Sequence, residues 1–157
     1  MSSIRIPILL ALLVLMMPAC RSEKPFTVTP GQWPWRPVEL KLNELTRFSS
    51  PSEDGERSIE VRVEFTDQAG NPTKAHGMLR ISVIRPGEGD TPWEKGIDLM
   101  DLNLATAQYE PVTRSYKVVI SPELEGLVPG RRIRIEASYV GDDGARLSGY
   151  KVLIWPQ

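Results

Sequence analysis

The 157-residue chain holds one cysteine, Cys20, and one histidine, His76. A single thiol excludes an internal disulfide, so the fold has to rest on its core. One His and one Cys cannot supply the three or four nitrogen and sulfur ligands of a zinc site. A Ser-His-Asp or Cys-His catalytic system would have to use His76, and no Gly-x-Ser-x-Gly elbow accompanies it. His76 therefore reads as a polar residue near a strand start. Neither sign of charge is in excess: 19 Lys and Arg stand against 20 Asp and Glu, a formal net charge of −1. That balance makes no electrostatic case for nucleic acid or for an anionic membrane surface.

Other absences narrow the field further. "RPGEGD" (85–90) lacks the Lys and the following helix of a phosphate-binding loop. The acidic stretches "SEDGE" (52–56) and "GDDG" (141–144) lack the spaced Asp-x-Asp-x-Asp-Gly order of a calcium loop, and read as solvated turns. A carboxylate pair at glycosidase spacing is unavoidable among 20 acidic residues, so it identifies nothing. The expectation is a protein without a cofactor and without catalysis.

What is present begins with an apolar run, Ile8–Met17, after a head whose charged side chain is Arg5. Bilayer crossing needs about 20 apolar residues, so this run is too short to span; it fits a secretory signal. It ends in Met17-Pro18-Ala19-Cys20, which resembles the bacterial lipobox. Met17 and Pro18 stand where that family usually has Leu and then Ala or Ser. The resemblance implies cleavage before Cys20, acylation of its thiol, and residues 1–19 as a signal peptide. A plain secretory signal, an uncut short anchor and an ordinary buried cysteine are the competing readings. Several acyl chains would anchor firmly where one binds only marginally. The mature chain would lose Arg5 and keep 18 basic against 20 acidic residues, net −2. Arg21, in place of an Asp after the cysteine, resembles outer-membrane sorting over inner-membrane retention. The expected location is thus the bacterial cell envelope, lipid-anchored at the outer membrane.

Residues 20–37 carry prolines 25, 30, 34 and 37 and read as a semi-rigid tether. Trp33 and Trp35 lie inside it. Packing against the domain is the expected use of such large aromatics, with a platform for sugar or peptide as the alternative.

From residue 38 onward the pattern is period two, the mark of half-buried strands. In "SIEVRVEFT" (58–66), Ile59, Val61, Val63 and Phe65 share one face. "MLRISVIR" (78–85) places Leu79, Ile81 and Val83 together. "VELKL" (38–42) and "SYKVVIS" (115–121) alternate likewise. In "RRIRIEASYV" (131–140), Ile133, Ile135, Ala137 and Tyr139 oppose Arg132, Arg134, Glu136 and Ser138. "GYKVLIW" (149–155) has Tyr150, Val152 and Ile154 in phase. "TDQAGNPT" (66–73) and "GDDG" supply turn signals between strands. In 93–111, Ile97 and Leu99 fit a strand, while Leu99, Leu102 and Leu104 equally fit a helical turn.

Residues 38–157 are therefore expected to form one all-β domain, an antiparallel two-sheet sandwich. "FTDQAGNPTKAHGMLRISV" (65–83) resembles the strand-turn-strand of bacterial immunoglobulin-like and carboxypeptidase-regulatory-like domains, through Asp67, Gly70, Pro72 and Gly77. "LEGLVPGRRIRIEASY" (124–139) is similar to fibronectin type III domains, through Gly126, Leu127, Pro129 and Gly130. The resemblance implies an immunoglobulin-like sandwich and no particular activity. Arg62, Arg80, Arg132 and Arg134 are all expected to face solvent, paired with Glu60, Glu64 and Glu136 or forming a docking face for another envelope protein. Trp33, Trp35 and Trp93 are candidates for stacking a polysaccharide, the alternative ligand.

Overall fold

A computed structural model describes residues 35–51, 57–85, 92–122 and 128–156. Cys20, Trp33, Gly126, Leu127 and the "SEDGE" loop lie outside the described residues. Two antiparallel sheets make a β-sandwich. The first contains β1 (Glu39–Leu42), β2 (Arg47–Phe48), β3 (Ile59–Thr66), β6 (Tyr109–Glu110) and β7 (Ser115–Ile120). Its order is β1-β3-β7-β6, with β2 beside β3. The second has the order β5-β4-β8-β9, built from β4 (Gly77–Ile84), β5 (Trp93–Asp98), β8 (Arg132–Gly141) and β9 (Arg146–Ile154). One helix, α1 (Leu102–Gln108), follows β5; Asp101 caps it by accepting from the Asn103 and Leu104 N–H groups. Both sequence readings of 93–111 thus hold in turn, strand first and helix after.

The core lies between the sheets. Ile59, Val61 and Val63 of the first sheet and Ile81, Ile133 and Ile135 of the second are each 0% exposed. Each such side chain contributes roughly 1.5–3 kcal/mol on burial. β-Branched residues fit this pleated, enclosed surface, so local preference and burial agree.

The 66–76 segment departs from a simple hairpin, because β3 and β4 belong to different sheets. Asp67 organises a tight local turn: its Oδ1 accepts from the Ala69 and Asn71 N–H groups, with Gly70 at φ +80°. The chain then crosses over the end of the sandwich. Two buried tyrosines, one per sheet, hold the crossing backbone. The Tyr116 hydroxyl accepts from the Ala75 N–H at 3.1 Å and donates to the Ala75 carbonyl. The Tyr139 hydroxyl serves His76 in the same way, at 3.2 and 2.8 Å. Burial pushes both phenols up to about 12. By contrast, 141–145 is a true hairpin, closed by Gly144 at φ +82° and by the Gly144 N–H donating to the Gly141 carbonyl.

The last strand shows the opposite phase to the one expected. Tyr150 (63% exposed), Val152 and Ile154 (62%) face out, and Leu153 is buried. Gly149 also faces inward, where β1 approaches so closely that a Cβ would lie 2.9 Å from the Leu40 carbonyl oxygen. Only a residue without a side chain admits β1 there, and this fixes which face of β9 turns in.

Candidate functional site

The four arginines do not form one face. Arg62, on β3, is buried at 7% exposure, because the 110–114 turn closes over it. Its Nε donates to Glu60 at 2.9 Å, its Nη1 to Thr113 at 3.0 Å, and the guanidinium also pairs with Glu110. The hydrogen bond from Glu110 raises the Arg62 pKa, and the one from Arg62 lowers that of Glu110. Burial pushes Glu60 up, but Arg62 and Lys117 outweigh it and hold the carboxyl below its ordinary range. The expected solvent-facing Arg62 is therefore corrected: it is a structural clasp between β3 and the β6–β7 turn.

Arg80, Arg132 and Arg134 do share a surface, the outward face of the β5-β4-β8-β9 sheet. Strand register arranges that face in rows across the sheet. The first row is Asp98, Met78, Val140 and Arg146; the second is Gly96, Arg80, Ser138 and Ser148. Glu94, Ser82, Glu136 and Tyr150 form the third; Ile84, Arg134 and Val152 follow, then Arg132 with Ile154. Alternation puts all of them outward, since their odd-numbered neighbours Leu79, Ile81, Ile135 and Ala137 are fully buried. Arg80 pairs with Glu94 at 3.5 Å, and Arg134 with Glu136 at 3.2 Å. Arg134 also lies over the Tyr150 ring, 4.3 Å from its centroid. Met78, Val140, Tyr150, Val152 and Ile154 are all exposed. The charge pattern was legible in the sequence; the apolar row was missed, because β9 was read in the wrong phase.

The tryptophans separate as well. Trp93 is partly buried against the core opposite Val83 and is not available for stacking. Trp155 packs edge-on to Phe48, with ring centroids 5.0 Å apart. Trp35 is pinned through its backbone, whose carbonyl accepts from the Thr73 hydroxyl at 2.8 Å. Its ring is 55% exposed, contrary to the packed ring expected. It borders an open cleft of about 540 Å³ with Asp67, Asn71, Lys74 and Tyr109.

His76 Nδ1 lies 3.1 Å from Asp142 Oδ2 beside Tyr139 and Asp143. The cavity there holds about 10 Å³, room for roughly one water molecule. No helix among the described residues is long and apolar enough to cross a membrane.

No protein-family model and no curated protein sequence matches the chain. Among solved structures, it is similar to wild-type OgpA from Akkermansia muciniphila in two crystal forms. Identity is 18% and 16%, with TM-scores of 0.43 and 0.41. The match covers 83% of this chain and 31% or 32% of that one, so the chain spans about a third of OgpA's length.

Proposed function

We propose that this protein is a lipid-anchored bacterial envelope protein whose sandwich is a non-catalytic module that docks a protein on its β5-β4-β8-β9 face. The observation that carries the docking is the row of exposed Met78, Val140, Tyr150, Val152 and Ile154 set among Arg80, Arg132 and Arg134. Contiguous apolar groups ringed by charge favour protein contact over free solvation. The fold type is read as immunoglobulin-like on strand order. With β1, β3, β4, β5, β6, β7, β8 and β9 taken as strands A, B, C, C′, D, E, F and G, the sheets become A-B-E-D and C′-C-F-G. The anchor, the signal peptide of residues 1–19, the tether of 20–37 and the outer-membrane location rest on the sequence around Cys20.

The test is crosslinking in cells with the tagged full-length chain, followed by mass spectrometry. A protein captured by the wild type and lost on reversing Arg132 and Arg134 supports docking; no specific protein refutes it. The same digest reads the Cys20 peptide, whose acyl mass supports the anchor and whose unmodified mass refutes it. A second reading, polysaccharide binding, rests on the exposed Trp35 ring beside Asp67, Asn71 and Lys74. Quenching of tryptophan fluorescence by cell-wall or exported polysaccharide, abolished by Trp35→Ala, supports it.

A further inference from the structure

We infer that the partner on this face is a second copy of the chain, related by a two-fold axis running along the strands. The inference rests on the docking reading above and deepens it. A two-fold interface must be self-complementary, each residue meeting its opposite number twice. Sheets packed face to face keep their strands within about 30° of each other. With the axis along the strands, midway between β4 and β8, β9 of one copy covers β5 of the other, β8 covers β4, and each row meets itself.

The rows satisfy that condition. In the first, Arg146 meets Asp98 and Val140 meets Met78. In the second, Arg80 meets Ser138, and Gly96 leaves room for Ser148. In the third, Tyr150 meets Glu94, and Glu136 meets Ser82. In the fourth, Arg134 lies on Ile84. No two like charges oppose each other, and the Arg146–Asp98 pair forms twice. Among the described residues Arg146 makes no ion pair within the chain, so its charge is left for a partner. An axis across the strands would instead set Arg146 against the Val152–Ile154 end and pair no charges. Four strands about 4.8 Å apart and eight residues long make a patch of roughly 500 Å² per copy. Two such patches reach the roughly 1,000 Å² that a specific, reversible contact needs.

The test uses the full-length chain in detergent, by sedimentation over a concentration series, with Arg146→Asp, Asp98→Lys and the double swap. The wild type should dimerise. Each single variant places like charges together twice and should weaken the dimer at least about tenfold, and the swap should restore it. Asp98 also accepts from the Met100 N–H, so thermal melting checks that its variant folds; Arg146→Asp carries the test regardless. In bacteria making the full chain, a photo-crosslinking residue at position 140 should join the Met78 strand of another copy. A monomeric wild type, or a swap that fails to restore association, overturns the inference. Capture of a different protein at position 140 overturns self-association and leaves the docking face standing. Capture of nothing at that position overturns both.

Discussion

Replacing Arg62 by Met keeps most of the buried stem and deletes the guanidinium. The structure sets the size of the effect. The hydrogen bonds lost include those to Glu60, at 2.9 Å from Nε and 2.7 Å from Nη2, and to Thr113 at 3.0 Å. Glu60, 17% exposed, then keeps only Lys117, at 3.5 Å. Removing one partner of a buried ion pair costs about 3–5 kcal/mol. Lys117 remains and Glu110 can rehydrate at the rim, so the lower end applies, about 3 kcal/mol. For a chain of this size that lowers Tm by roughly 10 °C. The assay is thermal and urea unfolding of the full-length chain in detergent at several pH values. Glu60 and Glu110 have lowered pKa values in the folded protein. Their stabilisation is therefore present above the unfolded value of about 4.3 and is lost as pH falls through the lower folded values. The gap between wild type and Arg62→Met should shrink below about pH 4. Adding Glu60→Gln and Glu110→Gln to Arg62→Met should recover more than half of the loss. A cost below about 1 kcal/mol, or a gap that stays constant between pH 7 and pH 3, would refute the clasp.

Three further outcomes are expected. Gly77→Ala should cost about 2–3 kcal/mol in urea unfolding, because its Cβ would lie 2.3 Å from the Val140 carbonyl oxygen and 2.8 Å from the Gly141 Cα. Gly149→Val should unseat β1 from β9 at a cost of about 2 kcal/mol, read as lost exchange protection over Glu39–Leu42. Tyr116 and Tyr139, pushed up to about 12 by burial, should make the fold fail in alkali. Their folded pKa values lie above the unfolded value of about 10, so stability is full below pH 10 and falls as pH rises from 10 to 12, by at most about 3 kcal/mol per tyrosine. Phenolate absorbance and circular dichroism should change together over that window. Two tyrosines titrating near pH 10 without unfolding would contradict the burial.

Alternation along a single strand depends only on neighbours in the chain, so it was legible at once. Ile59, Val61, Val63 and Phe65, and likewise Ile133, Ile135, Ala137 and Tyr139, sit in the core as their spacing implied. The Asp142–Asp143–Gly144 hairpin was legible for the same reason, since a turn closes on its own residues. Three features were settled only by tertiary structure. The 66–73 turn has the same local hydrogen bonds whichever sheet the next strand joins, so nothing local says that β4 crosses to the other sheet. β9 carries apolar residues on both faces, Leu147 and Leu153 against Tyr150, Val152 and Ile154, and the approach of β1 at Gly149 chooses between them. Arg62 has the parity of an exposed residue, yet a turn 48 residues away brings Glu110 to cover it. Periodicity says which side of a strand a residue takes; only the assembled fold says what stands on that side.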